Sequence, residues 1–355
     1  MTKAKKPVRI LILGTGGMAN NHAGSFAKID GVTLVAGIDT RPEQLQAFCD
    51  KHGIAKGFAS IGEALAWGEF DAVTNVTPDA AHFATTMPVL AAGKHILCEK
   101  PLATNEADAD AMAAAAAEAG VVNMVNLSYR NVAALQKGAQ MVRDGAIGTV
   151  RHFEASYLQS WLTQPAWGHW DKESQWLWRL SSKHGSKGVL GDVGIHILDF
   201  ATFVAGQPVE EVSCRLATFH KAPDDRVGDY VLDANDSATM QVVLGNGALG
   251  TVAATRFASG HLNDLRLRLY GDKGGIEVSW EKNVSRLRAC LEPDLQSGEW
   301  HDVEAPVLAT IYERFIAAIR GEGVADPDFA RGAALQRMLD RAEQSAAKGG
   351  LSLKV

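Results

Sequence analysis

A chain of 355 residues, 46% of them apolar, exceeds what one hydrophobic core usually serves, so two domains are expected and global disorder is excluded. The formal net charge of −6, with Lys and Arg scattered along the chain, leaves no electrostatic footprint for nucleic acid or other polyanions. Cys49, Cys98, Cys214 and Cys290 form no C-x-x-C pair, which argues against a zinc cluster or a disulfide framework and fits reduced thiols in the cytoplasm.

Lys3, Lys5 and Lys6 precede the apolar run Val8–Leu13. That run ends in a glycine turn and is too short for a signal peptide or a membrane span. From Val8 to about Asn126, short β-branched runs alternate with helical patterns, the arrangement of a parallel sheet covered on both faces. The strand candidates are Val8–Leu13, Val32–Ile38, Ala72–Val76, His95–Cys98 and Val121–Val125. Between them lie helices at Arg41–His52, after the capping-box sequence Ser60-Ile61-Gly62-Glu63, at Ala80–Ala92 and at Glu106–Ala119, with Gly93 and Gly120 as stop signals. Residues 1–126 are thus expected to form a Rossmann domain, a doubly wound parallel sheet.

Beyond it, residues 127–355 are expected to form an α+β domain with an open, mainly antiparallel sheet. A helix over Val132–Arg143 ends at Asp144-Gly145, and strands then follow without regular helical crossovers. Ala238, Met240, Val242 and Leu244 alternate with Thr239 and Gln241, as Leu265, Leu267 and Leu269 do with Arg266 and Arg268, so one face is buried. Gly245-Asn246-Gly247 and Gly271-Asp272-Lys273-Gly274-Gly275 read as hairpin turns. Helical patterns near Ile311–Arg320 and Ala330–Ala347 precede a last short strand.

Gly14-Thr15-Gly16-Gly17-Met18-Ala19 follows the first strand and opens a helix, the context in which G-x-G-x-x-A signifies a dinucleotide site. Gly14 permits the tight turn, Gly16 lets a pyrophosphate approach the backbone, and Ala19 allows close helix packing. Asp39, followed by Thr40 and Arg41, stands where an acid accepts hydrogen bonds from the adenosine ribose. A carboxylate there repels a 2′-phosphate, so NAD is favoured, while Arg41 leaves NADP possible; Arg41 alternatively just begins a solvated helix.

Lys100, in Glu99-Lys100-Pro101, follows the strand candidate His95–Cys98 at the ligand-binding edge of such a sheet. Its charge suits a developing oxyanion, although a surface lysine is the plainer reading. Pro101 biases Lys100 away from helical conformation. Asp192 and His196 stand four apart on an expected helix and share a face. An acid one turn before a histidine suits a general base; a capping aspartate with a packed histidine is the alternative.

Together these motifs resemble the Gfo/Idh/MocA family, named for glucose-fructose oxidoreductase and inositol dehydrogenase. The resemblance covers nearly the whole chain and includes Thr77-Pro78 with His82, Ala92 through Pro101, Asn126 with Arg130, and Asp192-x-Gly194-x-His196. It implies Lys100, Asp192 and His196 as the catalytic group, and Thr77, Pro78, His82, Glu99 and Asn126 at the nicotinamide end of the cofactor. It also implies a homodimer or homotetramer formed through the exposed face of the second sheet.

One departure stands before Asp192: members often carry consecutive glycines there, and this chain has Gly185-Ser186-Lys187-Gly188-Val189-Leu190. Trp161, Trp167, Trp170, Trp176 and Trp178, five of eight tryptophans, fall in one segment with His169 and Arg179. Aromatic rings pack against the C–H faces of sugars, so Trp161, Trp167 and Arg179, with Tyr157, are candidate substrate contacts; mutual burial of the rings is the alternative. The expected activity is metal-free, NAD(P)-dependent oxidation of a secondary hydroxyl on a sugar, sugar derivative or cyclitol, in a protein of the cytoplasm that binds neither membrane nor nucleic acid. Transient oxidation leading to glycoside cleavage, or a non-catalytic NAD-binding regulator, are the other classes.

Overall fold

A computed structural model of the chain describes residues 6–165 and 167–355; Lys3 and Lys5 lie outside them. The chain folds as two compact units, the first running to Ser128 and adding Ala309–Gln336, the second comprising Tyr129–Leu308 and Arg337–Val355.

In the first unit, β1 (Val8–Leu13), α1 (Gly17–Phe26), β2 (Val32–Ile38), α2 (Pro42–His52), β3 (Lys56–Phe58), α3 (Ile61–Trp67), β4 (Ala72–Asn75), α4 (His82–Ala91), β5 (His95–Cys98), α5 (Glu106–Ala119) and β6 (Asn123–Val125) follow in turn. The strands form one parallel sheet in the order β3-β2-β1-β4-β5-β6. Ile10, Leu11 and Ile12 of the central strand are fully buried, because helices cover both faces; the run therefore reads as continuously apolar rather than alternating. Strand β3 is an addition to the sequence reading: Lys-Gly-Phe is too short and too polar to signal a strand, and it is recruited by pairing with Ala36–Ile38. The cap at Ser60 differs in detail from the box expected. Its side chain accepts from the Glu63 N–H, but the reciprocal bond to the Glu63 carboxylate comes from Ala59 N–H.

The second unit opens with α6 (Ala133–Arg143) and β7 (Val150–Leu158), then a short helical turn α7 (Ser174–Leu177) and α8 (Ile195–Ala205). A π-helical turn, Leu190–Gly194, leads directly into α8; the sequence suggests only one regular helix here. Then follow β8 (Val209–Ala217), the small hairpin β9 (Arg226–Val227) and β10 (Tyr230–Val231), and the strands β11 (Ser237–Leu244), β12 (Leu249–Thr255), β13 (Asp264–Gly271), β14 (Gly274–Glu281), β15 (Val284–Leu291) and β16 (His301–Asp302).

Helix α9 (Ile311–Arg320), helix α10 (Phe329–Ala347) and strand β17 (Leu353–Lys354) complete the chain. The second sheet runs β16-β15-β14-β13-β7-β12-β11-β8-β17. It is antiparallel except for the parallel pair β7 and β12, where Gly250 lies so close to the Phe153 ring that any Cβ would collide with it. Ala238, Met240, Val242, Leu244, Leu265, Leu267 and Leu269 are buried, as their alternation requires, and α6 and α8 lie over the sheet.

Helix α9 belongs to the first unit. Thr310 and Glu313 close a full capping box at its start, and Ile311, Phe315 and Ile316 enter the same core as Ile10, Ile12, Ala23 and Phe26. Among the described residues, no helix is long and apolar enough to cross a membrane.

Candidate active site

The fingerprint stands between the first strand and α1. Gly14 has φ +89, and a Cβ on it would lie 2.8 Å from the Val76 carbonyl oxygen, so both conformation and space demand glycine. Cβ atoms on Gly16 or Gly17 would meet nothing within 4 Å, and Gly16, the N-cap of α1, supplies no capping side chain. Helix α1 thus starts without a side-chain cap, and such a helix N-terminus suits an anion. Met18 is 49% exposed beside it.

Asp39 is buried at the end of β2 and accepts from Thr15 N–H (3.0 Å), Thr15 Oγ1 (2.8 Å), Arg41 N–H (3.0 Å) and the Arg41 guanidinium (3.0 and 3.2 Å). Burial opposes its ionisation, but Arg41 and the Thr15 donors hold the carboxyl far below the usual carboxylate range. Thr40 is exposed, and the Arg41 side chain is 65% exposed. The end of β2 therefore presents a fixed anion whose solvent-facing partner is Arg41. Open glycines, an uncapped helix N-terminus and a fixed carboxylate at the end of β2 fit a dinucleotide.

Backbone bonds from Val76 N–H to Leu13 O, Glu99 N–H to Asn75 O and Asn126 N–H to Cys98 O tie together the carboxyl ends of neighbouring strands. Thr77, partly buried, gives its N–H and hydroxyl to Asn75 Oδ1 (3.2 and 2.7 Å); Pro78 is exposed. His82 is buried, with Nδ1 2.8 Å from Pro101 O and Nε2 2.9 Å from Thr77 O. Glu99 binds His22 Nε2 (2.8 Å), Asn126 Nδ2 (2.6 Å) and the Lys100 N–H (3.2 Å). Burial alone pushes the Glu99 carboxyl up, yet the bonds from His22 and Asn126 draw it down to about 2. Lys100, partly buried, is joined to Pro101 by a cis peptide.

His22 and Tyr312 are additions to the sequence reading. Asn126 Nδ2 lies 3.3 Å from Tyr312 Oη, and the Tyr312 ring meets His22 edge-on at 5.0 Å. His22 has a weak signal, a polar residue on the inward face of α1; Tyr312 has none, being 186 positions from Asn126.

In the second unit, the Asp192 carboxylate accepts from Arg256 (3.0 Å) and lies 3.8 Å from Arg179. Arg256, also unforeseen, is fully buried, its guanidinium 4.9 Å from the Trp161 ring centre and donating to the Arg179 carbonyl. Burial lowers its proton affinity, partly offset by the charge of Asp192. His196, 7% exposed, meets the Tyr129 ring edge-on at 5.0 Å and the Tyr157 ring at 6.4 Å. The two phenol oxygens are 2.6 Å apart, and Tyr157 donates to Asn263. Burial pushes Tyr129 up to about 12 and raises Tyr157 well above the usual phenol value, so both remain protonated hydroxyls.

Trp161 is 4% exposed and forms a core with Leu162, Leu177, Leu180 and Leu232, against which Trp167, Trp170 and Trp176 pack. Trp161 Nε1 donates to Gln159. Arg179 lies over the Trp178 ring at 4.5 Å. Lys187 pairs with Glu343 at 3.6 Å, and Ser186 donates to the Arg179 carbonyl. The loop that departs from consecutive glycines thus carries packing duties of its own.

Residues 8–127 match the oxidoreductase family with an NAD-binding Rossmann fold, and residues 135–277 match the GFO/IDH/MocA C-terminal domain. The chain is 28% identical over 308 residues to levoglucosan dehydrogenase of Pseudarthrobacter phenanthrenivorans, covering 77% of each. It is 30% identical over 269 residues to myo-inositol 2-dehydrogenase of Thermotoga maritima, covering 76% of this chain and 74% of the relative. The crystal structure of an oxidoreductase domain protein from Kribbella flavida superposes with a TM-score of 0.87, 29% identity and 99% coverage of both chains. The first unit is therefore an NAD-binding Rossmann domain, and the chain belongs to the Gfo/Idh/MocA family of oxidoreductases.

Proposed function

We propose that this protein is a cytoplasmic dehydrogenase that reversibly oxidises a secondary hydroxyl of a rigid sugar, anhydrosugar or cyclitol. The observation that carries the reading is Lys100 at the carboxyl end of β5, in the same row of strand ends as the fingerprint Gly14–Met18 and Thr77. Bound NAD supplies a hydride acceptor. Lys100 offers positive charge to the substrate oxygen, His196 receives its proton, and Asp192 orients the polar surroundings of that histidine together with Arg256 and Arg179. Asp39 favours NAD over NADP because a 2′-phosphate adds charge beside a carboxylate. The names of two relatives, levoglucosan dehydrogenase and myo-inositol 2-dehydrogenase, support a ring-locked polyol as substrate, with Tyr157, Trp161, Trp167 and Arg179 as candidate contacts. Self-association through the exposed face of the second sheet, as a dimer or tetramer, is part of the same reading.

The test is NADH absorbance with purified protein, NAD or NADP, and a panel of inositols, hexoses, glucosides, anhydrosugars and sugar acids. Substrate-dependent reduction is expected. Silence across the panel with demonstrated NAD binding would turn the reading toward transient oxidation or a regulatory role. Lys100→Ala is expected to lower turnover by about 10²–10³-fold while leaving NAD affinity within a few-fold; unchanged turnover removes Lys100 from the chemistry.

A further inference from the structure

We propose that His82 is held as an imidazolium ion that clamps the segments following β4 and β5 and thereby positions Lys100. The inference rests on the reading of Lys100 as a catalytic residue, and His82 itself is a positioning residue.

The His82 side chain is buried, and each ring nitrogen faces a backbone carbonyl: Nδ1 stands 2.8 Å from Pro101 O and Nε2 stands 2.9 Å from Thr77 O. A carbonyl oxygen can only accept. A neutral imidazole has one N–H and one lone pair, so one of these two contacts would set lone pair against lone pair at hydrogen-bonding distance. The imidazolium donates at both nitrogens and turns both contacts into charge-assisted bonds. Two effects oppose the charge, burial and the position of His82 as the first residue of α4, at the positive end of the helix dipole. Against the cost of burial, the Cys98 sulfur on β5 (by charge when it is a thiolate, and by its hydrogen bond), the charge of Asp79 in the 3-10 turn Asp79–Ala81 just before α4, and the bond to Pro101 O push the imidazole up to about 10.

The two carbonyls belong to the segments that matter. Thr77 is fixed from its other side, its N–H and hydroxyl both donated to Asn75. Pro101 directly follows Lys100, and the Lys100 N–H is bound to the Glu99 carboxylate. The backbone on either side of Lys100 is therefore anchored, by Glu99 before it and by His82 after it. Losing the donor at Nδ1 frees the Pro101 carbonyl, losing the one at Nε2 frees that of Thr77, and a displacement of about 1 Å in a catalytic group can cost roughly 10²-fold in rate.

Histidine nitrogen resonances of the 15N-labelled full-length protein, recorded from pH 6 to 9, read the charge directly, with His82 assigned by its loss in His82→Gln, or in His82→Asn if the first variant fails to fold. If neither folds, contacts of its ring protons with Cys98 and Pro101 assign it in the wild type. Both nitrogens are expected to remain protonated through pH 9; a neutral-tautomer pattern at pH 8 overturns the proposal. In the NADH assay, the folded variant is expected to lose at least tenfold in kcat with substrate KM changed less than threefold. Unchanged kcat, or a loss confined to KM, overturns the positioning role. Full turnover by Lys100→Ala would instead defeat the underlying reading, and the imidazolium signature would still stand.

Discussion

The carboxylate of Asp39 already receives donors from Thr15 and Arg41, so under the proposed ribose role a diol would have to displace the exposed guanidinium. Asp39→Ala is expected to weaken NAD binding by about tenfold or more, since a hydrogen bond to a charged group contributes roughly 1.5–3 kcal/mol, and to raise the use of NADP relative to NAD. Fluorescence titration with both nucleotides measures this, and an unaltered ratio contradicts the ribose role. Glu99 carries a pH signature. Its folded value of about 2 lies below the unfolded carboxyl value of about 4.3. Its contribution to stability is therefore complete above the unfolded value and lost as pH falls through the folded one. Urea midpoints are expected to fall from about pH 4.3 to pH 2 more steeply in the wild type than in Glu99→Gln. The sequence displays Glu99, Lys100, Asn126 and Asp192 because each stands in a compact motif. It hides Tyr312 and Arg256 because their partners are 186 and 64 positions away, and no periodicity encodes so distant a contact.

At the scale of elements, α8 is the piece on which the second unit's candidate chemistry hangs, and it is fixed by a buried ion pair. Arg130 donates to Asp199 at 2.6 and 2.8 Å, with both side chains nearly inaccessible and the guanidinium stacked 3.5 Å from the Phe203 ring centre. Asp199→Ala removes the carboxylate that faces a buried cation, and a loss of about 3–5 kcal/mol is expected, measurable by urea denaturation; a change below about 1 kcal/mol would show the pair to be dispensable. The helices with glycine stops and the alternating strands are readable because local chemistry dictates them. The π-helical turn before α8 is not: nothing in the residues Leu190–Gly194 distinguishes it from the regular helix that follows. Strand β3 escapes for the converse reason, since three residues are too few to establish a period, and an existing sheet edge recruits them.

For the whole molecule, the change of texture near Asn126 separates helical crossovers from consecutive strands, and the two sheets follow that change. The allegiance of α9 does not show in the same way, because an amphipathic helix announces an apolar face without naming what it will cover. Ile311, Phe315 and Ile316 complete the core formed by β1 and α1. A chain ending at Leu308 is therefore expected to lose NAD affinity and cooperative melting of its first unit, and retention of both would show α9 to be accessory. The completion of this core also sets an order of events during translation. The ribosome produces β1 and α1 first, yet their partner helix emerges only after the strands β7 to β16 have been made. At roughly 5–20 residues per second, the nascent nucleotide-binding half waits on the order of tens of seconds with part of its interior uncovered. During that interval the uncovered apolar surface is open to chaperones and to wrong partners alike.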